Sequence, residues 1–250
     1  MARYKLTLEY DGSDFAGWQR QERSVTTVQG VVEQAVARFS GEDVVLHAAG
    51  RTDSGVHAVG QVAHVDLIRT DVAPGTLRDA LNFFVRPRRV AVLNVESVDE
   101  DFHARFSATG RSYRYVILNR RPPPILEAAY VWHIRRPLDA AAMQRSASIL
   151  LGRHDFSTFR ALYCQAQSPI KTLDELTILR DGEKLVILVR SRSFLHHQVR
   201  NMVGTLSLVG LGRWSHDEFS RAFAACDRTQ GGPTAPPQGL CFLGPTYGCG

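Results

Sequence analysis

Several motifs and patterns are absent from this 250-residue sequence, and each absence excludes a class of protein. No run of eighteen apolar residues occurs, so we expect no transmembrane helix and no membrane partner. The first residues, Met-Ala-Arg-Tyr-Lys, lack the apolar segment of a signal peptide, which indicates a cytoplasmic location. No P-loop, HExxH motif or dinucleotide-binding fingerprint is present, which argues against the chemistries that these motifs support.

Metal ligands with recognisable spacing are also scarce. None of the four cysteines belongs to a CxxC pair, so we expect free thiols in a reducing compartment rather than disulfides or a zinc site. The four are Cys164, Cys226, Cys241 and Cys249. His196 and His197 are adjacent, and neighbouring side chains on a helix point in different directions. We therefore predict no metal site.

Lysine is rare, because only three of the 30 basic residues are lysines and the others are arginines. The net charge is +5. Arginine binds phosphate as a planar fork and stacks on bases, which suits RNA, but a GC-rich genome explains the bias equally well. The charge permits a polyanionic partner without identifying one. Six arginines in the N-terminal part of the chain are candidates for contacts with such a partner, the alternative being a solvated charged surface: Arg20, Arg23, Arg51, Arg86, Arg88 and Arg89.

The spacing of apolar residues predicts two successive series of strands and helices. The first series is a strand over 3–10, a helix from Val28 closed by Gly41, strands over 43–49 and 60–68, a helix over 75–84 and a strand over 89–98. The second is a strand over 111–118, a helix over 143–151 closed by Gly152, a hairpin of 173–180 and 184–193 turned by Asp181-Gly182, helices from Val199 and from Ser215, and a strand over 239–247. Glu218 stands in capping-box position behind Ser215.

This order of elements predicts an α+β fold, because strands and helices do not alternate strictly. We expect a mainly antiparallel sheet flanked by helices. The two series are similar, which suggests two pseudo-duplicated halves with an active-site cleft between them. We place the domains at residues 1–105 and 106–250.

One polar loop stands out between two apolar strands. Residues 50–58 read Gly-Arg-Thr-Asp-Ser-Gly-Val-His-Ala, so two glycines bracket an Arg-x-Asp triplet. A polar turn on rigid strands can present the Asp53 carboxylate to a ligand. The alternative is an Asx-type turn in which Asp53 bonds its own backbone, and spacing alone favours that alternative.

The loop closely resembles the GRTDAGVHA signature of the TruA family of tRNA pseudouridine synthases, with Ser54 in place of the usual alanine. Further blocks of that family recur in the same order along nearly the whole chain. They lie at residues 10–19, 27–29, 102–105, 111–115, 152–156, 194–204 and 234–240. In the block at 194–204, Gln198 occupies a position where methionine is common.

The resemblance implies the pseudouridine synthase fold and an isomerase that converts uridine to pseudouridine at positions 38, 39 and 40 in the anticodon stem-loop of tRNA. It also implies a homodimer. The reaction breaks the N1–C1′ bond and joins C5 to C1′, so no metal, nucleotide or redox cofactor is required. The target base must be flipped out of its stack, at a cost of a few kcal/mol.

The resemblance also implies roles for five residues. Asp53 stands at the catalytic aspartate, Tyr113 at the tyrosine that packs on the target base, and Arg200 at the arginine that pairs with the aspartate. Leu240 stands at an apolar residue lining the uracil pocket, and Arg51 at a basic residue that holds RNA in the flipped state. Judged by residue type alone, Tyr113 fits a core position, Arg200 a phosphate contact or a solvated position, and Arg51 a cation that stabilises the turn.

The chemistry leaves three routes open, because an ionised carboxylate can attack C1′, attack C6 or remove the 2′ hydrogen. Desolvation would raise the pKa of Asp53, and a guanidinium such as that of Arg200 would oppose the rise. We assign Tyr115 to the hydrophobic core. Two other functions fit the sequence less well. An RNA-binding module without catalysis would have an altered Asp53 or Arg200, and an aspartate-dependent hydrolase would leave the other blocks unexplained.

Overall fold

A computed structural model of the chain describes residues 1–21, 25–68 and 71–248. Arg23 and Cys249, considered above as an RNA contact and as a thiol, lie outside these ranges. The described residues form an α+β fold with five α-helices and a large, mostly antiparallel sheet, which confirms the predicted fold class. None of these five helices is long and apolar enough to span a bilayer.

The chain divides into two compact units. The first comprises Met1–Arg111 with Cys241–Gly250, and the second comprises Ser112–Leu240. The two boundaries fall inside two strands: the strand over Ala108–Leu118 is divided between the units, and the last strand, Leu240–Tyr247, has its first residue in the second unit. The assignment of separate functional roles to residues 1–105 and 106–250 stays a prediction.

The first unit is built on strands that pair around the first one. Its elements are β1 (Ala2–Tyr10), α1 (Val28–Ser40), β2 (His47–Ala48), β3 (His57–Leu67), α2 (Pro74–Phe84), β4 (Val90–Val98), the start of β5 (Ala108–Leu118) and β10 (Leu240–Tyr247). Both β3 and β4 pair with β1 antiparallel, whereas β10 pairs with β3 parallel. The predicted alternation along β1 is confirmed, because Tyr4, Leu6, Leu8 and Tyr10 are all buried.

The predicted strand over 43–49 is wrong, since only His47–Ala48 pairs with β3. Side chains of α1 take the place of a strand partner here. The Glu33 carboxylate accepts the backbone N–H of Leu46 at 2.9 Å, and Gln29 donates to the Leu46 carbonyl at 3.3 Å. Because both backbone groups of Leu46 are satisfied, the segment runs beside the helix without extending the sheet.

The second unit contains further strands together with three of the helices. Its elements are the rest of β5, β6 (Trp132–His133), α3 (Ala140–Ala147), β7 (Gly152–Asp155), β8 (Ile170–Asp181), β9 (Lys184–Ser191), α4 (Gln198–Gly210) and α5 (His216–Ala224). The strand order in this unit is β5-β9-β8-β7, with β6 beside β5. The predicted hairpin is confirmed: Asp181 pairs with Lys184, and Gly182 adopts φ 55° between them. The capping box of Ser215 and Glu218 is present at the start of α5.

The helix predicted over 143–151 ends earlier than expected. The α-helix stops at Ala147, a single 3-10 turn covers Ser148–Leu150, and Gly152 begins β7 instead of closing the helix. Gly152 has φ 93°, a left-handed conformation that turns the chain out of the 3-10 segment and into the strand. The short strand β6 was not predicted.

A buried histidine forms the centre of a three-histidine cluster in the first unit. His64 on β3 is 2% exposed, and its ring lies 5.0 Å from the ring of His47 and 4.6 Å from that of His103. Its Nδ1 accepts the backbone N–H of Ala104 at 3.1 Å, which requires an unprotonated Nδ1. The folded protein therefore favours the neutral form of His64.

Acidification should destabilise the protein through this residue. The pKa of His64 is lowered from 6.5 to about 4, mainly by burial and also by the nearby His103, Arg3 and His47, whereas Asp66 opposes the shift. Below about pH 6.5, His64 becomes protonated in the unfolded chain but stays neutral in the folded protein. The free energy of unfolding therefore falls by up to about 1.4 kcal/mol for each pH unit as the pH is lowered from about 6.5 to about 4.

Urea unfolding at about pH 7 and about pH 5 measures this loss. The variant His64→Asn keeps a side-chain oxygen that can accept the Ala104 N–H but cannot titrate. Its loss of stability between the two pH values should be smaller by about 2 kcal/mol. An equal loss in the variant and the parent would contradict the assignment.

Candidate active site

Asp53 lies at the first position of a tight turn that leads into β3. The N–H of Val56 donates to the Asp53 carbonyl at 3.1 Å, and Gly55 at the third position has φ 77°. This combination is a type II turn, in which glycine is favoured at the third position. Asp53 is half-buried, and Val56 is buried. The turn therefore holds the backbone of Asp53 while part of its side chain stays accessible.

A buried polar network supports the loop just before Asp53. The Tyr10 hydroxyl is 2.8 Å from Oγ1 of Thr52, and Gln61 donates to the Gly50 carbonyl at 2.7 Å and to the Tyr10 hydroxyl at 3.4 Å. Burial raises the pKa of Tyr10 well above its ordinary value, so the hydroxyl stays protonated. These bonds attach the backbone of the loop to β1 and β3.

The segment after β1 forms a second support for the same loop. The N–H of Trp18 donates to the Thr52 carbonyl at 3.0 Å, and the Ser54 hydroxyl donates to the Phe15 carbonyl at 3.2 Å. Gly17 lies between them with φ 95° and packs against the backbone of the loop. The sequence blocks at 10–19 and 50–58 are therefore parts of one structural element.

Arg111 is a residue whose importance the sequence analysis missed. Its guanidinium is buried and donates from Nε and Nη2 to the Ala49 carbonyl, at 3.0 and 2.8 Å. Nη2 also donates to the Arg105 carbonyl at 2.6 Å. Arg111 thereby joins the residue before Gly50 to the block at 102–105. Its membership of the block at 111–115 was the only signal in the sequence.

In the second unit, Arg200 is bonded to the segment around Ala235. Its Nε donates to the Ala235 carbonyl at 2.8 Å, and the Ala235 N–H donates to the Arg200 carbonyl at 3.0 Å. The neighbouring Pro236 carbonyl accepts the Tyr115 hydroxyl at 2.7 Å. Burial raises the pKa of Tyr115 above its ordinary value, and the positive charge of Arg200 opposes the rise. The block at 234–240 is thus attached to both α4 and β5.

Leu240 follows directly on this attached segment and is 5% exposed. A β-carbon at Gly239 would lie 2.6 Å from Cζ of Tyr115, so only glycine lets the chain pass over the tyrosine ring. Tyr115 is fully buried, which confirms its assignment to the core. The position of Leu240 therefore depends on the contact between Tyr115 and Gly239.

Tyr113 lies two residues before Tyr115 and on the same face of β5. It is half-buried, and its ring meets that of Phe194 edge to face with the centroids 5.3 Å apart. This contact fixes the ring while part of it remains exposed. Tyr113, Arg200 and Leu240 all belong to the second unit, whereas the half-buried Asp53 and the exposed Arg51 belong to the first.

The adjacent His196 and His197 do not lie on a helix, so the expectation that their side chains diverge as neighbours on a helix is wrong. His197 is the residue that precedes α4 and has φ 61°, and the rings of His196 and His197 lie 4.0 Å apart. The left-handed backbone at His197 turns the two rings towards each other. The absence of a metal site stays a prediction.

The candidate RNA-contacting arginines of the described residues are all exposed: Arg20, Arg51, Arg86, Arg88 and Arg89. Two of them also form ion pairs within the first unit. Arg20 lies 3.0 Å from Glu33, and Arg89 lies 2.9 Å from Asp11. Their contact with RNA stays a prediction. Cys164, Cys226 and Cys241 form no disulfide, as predicted.

Comparison with known proteins identifies the family. The sequence profile of the family described as tRNA pseudouridine synthase matches residues 7–107 and 147–248. This chain belongs to the tRNA pseudouridine synthase family. The resemblance noted in the sequence is confirmed, and the enzymes of this family are isomerases. The matched ranges include Arg51, Asp53, Arg200 and Leu240, whereas Tyr113 lies between them.

Curated relatives match over nearly their full length. The tRNA pseudouridine synthase A of Paramagnetospirillum magneticum is 58% identical over 99% of this chain and 96% of its own length. The proteins of the same name from Rhodospirillum centenum and Rhodospirillum rubrum are 57% and 56% identical, over 99% and 97% of this chain and 100% and 87% of their own lengths. A solved Cbf5-Nop10-Gar1 complex aligns with a TM-score of 0.36 at 10% identity, over 82% of this chain and 45% of that one.

Proposed function

We propose that this protein isomerises uridine to pseudouridine at positions 38, 39 and 40 in the anticodon stem-loop of tRNA. The observation that carries the proposal is the turn of Asp53. It contains the family's signature residues, lies inside the matched range, and is supported from β1, β3 and the segment at 10–19. A carboxylate on such a support keeps its position while a base enters, which lowers the cost of aligning the reactants.

Asp53 is the essential carboxylate in this proposal. Breaking the N1–C1′ bond, turning the uracil and forming the C5–C1′ bond leaves the composition of the nucleoside unchanged. The proton on C5 is lost and a proton is gained at N1, so no redox partner or cofactor is required. Attack at C1′, attack at C6 and removal of the 2′ hydrogen all need an ionised Asp53.

Arg200 is the proposed partner of that carboxylate, and Tyr113 the proposed support for the flipped base. A guanidinium favours the ionised form of an acid in a desolvated site. Tyr113 has an accessible ring fixed by Phe194, which suits stacking on uracil. Leu240 supplies an apolar wall for the base, and Arg51 holds the RNA in the flipped state. The protein works in the cytoplasm as a homodimer.

Incubation of the purified protein with unmodified tRNA labelled with tritium at C5 of uridine tests the proposal. Pseudouridine formation releases that tritium to water, and mapping of the product should place it at positions 38, 39 and 40. Binding of tRNA without tritium release would instead favour an RNA-binding protein without catalysis. Release from other uridines alone would exclude the proposed substrate positions.

A further inference from the structure

A short loop of the second unit exposes two large apolar side chains next to each other. Leu162 is 86% exposed and Tyr163 is 85% exposed. Burial of either side chain would contribute about 1.5–3 kcal/mol. Isolated exposed apolar residues are common on protein surfaces, so the pair indicates a binding surface only if the residues around it also favour one.

The loop is held in place at several points. Nη2 of Arg160 donates to the carbonyls of Cys164 and Ala166, at 3.0 and 2.7 Å. The Ala161 N–H donates to the His196 carbonyl at 3.0 Å, and the His196 N–H donates to Sγ of Cys164 at 3.3 Å. The Ala161 backbone and the Cys164 thiol, on either side of the exposed pair, are therefore both attached to His196, which lies just before α4.

The two segments joined by these bonds contain no acidic residue. Residues 156–173 and 184–216 include seven lysines and arginines but neither aspartate nor glutamate. Two of the acids near their ends are engaged: Asp155 accepts the Ser157 N–H at 2.7 Å, and Glu175 lies 3.8 Å from Arg190. The amino end of the 13-residue α4 adds partial positive charge beside His197. This part of the surface favours a polyanion.

We propose that Leu162 and Tyr163 form a platform on which bases of the bound tRNA other than the target uridine stack, while the neighbouring cations contact phosphates. This inference rests on the proposed function, because it takes tRNA as the bound substrate. Single-stranded RNA is bound by such a combination of apolar or aromatic faces and positive charge, and the stacking tolerates different base sequences.

Filter binding of unmodified tRNA to Tyr163→Ala and Tyr163→Phe tests the platform. Loss of one stacked base should raise the Kd of Tyr163→Ala by about 5- to 100-fold. Tyr163→Phe keeps the ring and should bind within about twofold of the parent. The dependence of log Kd on log salt should keep its slope in both variants, because no phosphate contact is lost. The kcat at saturating tRNA should change by less than about threefold, since the target base is contacted elsewhere.

Leu126→Ala is the matched control. Leu126 is 94% exposed on another loop of the same unit and is followed by Glu127, so its removal should leave the Kd unchanged.

The platform would be overturned if Tyr163→Ala bound tRNA as tightly as the parent. It would also be overturned if Tyr163→Ala had a smaller mass than the parent in sedimentation, because Leu162 and Tyr163 would then lie at a contact with a second copy of the chain. If the parent formed no pseudouridine but Tyr163→Ala bound tRNA more weakly than the parent, the proposed function would be wrong and the platform would still hold. Unchanged binding beside an active parent would defeat the platform alone.

Discussion

Replacement of Asp53 by asparagine should abolish pseudouridine formation while tRNA still binds. The amide of asparagine can neither attack carbon nor accept a proton under these conditions, so the rate should fall by at least about 10³-fold. Asparagine has nearly the same shape, and the turn is maintained by the Asp53 carbonyl and by Gly55, so the fold should remain. Tritium release measures the rate, and filter binding measures the Kd for tRNA.

Asp14→Asn is the control for this variant. Asp14 is exposed in the segment that supports the turn. Its replacement by asparagine removes one negative charge and keeps the shape of the side chain, as the replacement of Asp53 does. It should keep the parental rate within about threefold, because it contacts no reacting atom. Undiminished tritium release by Asp53→Asn would exclude Asp53 as the essential group. A loss of rate in both variants would instead point to the charge of the whole region.

Replacement of Gly17 by alanine should impair catalysis although Gly17 touches no substrate. A β-carbon at Gly17 would lie 2.8 Å from the Thr52 carbonyl oxygen and 3.1 Å from the Ser54 nitrogen. Gly17 also has φ 95°, which L-residues rarely adopt. The loop of Asp53 would have to shift, and a displacement of this size should lower kcat by at least about tenfold. Single-turnover tritium release at saturating tRNA measures the effect.

Gly41→Ala separates this displacement from backbone strain. Gly41 has φ 76° at the end of α1, and a β-carbon there would meet no atom within 4 Å. Both variants should lose about 1–2 kcal/mol of stability from the left-handed conformation. Only Gly17→Ala should also lose kcat. A Gly17→Ala variant with the same kcat as the parent would show that the segment at 10–19 does not position Asp53.

Elements with strong local signals were predicted well from the sequence. β1 alternates along its length, Gly41 adopts φ 76° where α1 ends, and the capping box starts α5 as expected. The strand predicted over 43–49 is reduced to His47–Ala48, because Glu33 and Gln29, 13 and 17 residues away in the chain, satisfy the backbone of Leu46.

The supports of the candidate site escaped prediction for the same reason. Arg111 and Tyr10 resemble ordinary strand residues in the sequence. Their bonds to Ala49 and Thr52 join positions 62 and 42 residues apart. No local pattern encodes a hydrogen bond across that separation, because its formation depends on how the strands pair.

By itself, the sequence determined most of the helices and strands, since apolar spacing and capping residues act over a few positions. It also determined membership of the family, since ordered blocks along nearly the whole chain resemble its motifs. Only the tertiary structure decided what keeps the turn of Asp53 in place. Hydrogen bonds from Tyr10, Trp18 and Gln61 converge on the residues just before that turn once β1 and β3 are paired, and their energy depends on exclusion of water by the folded chain.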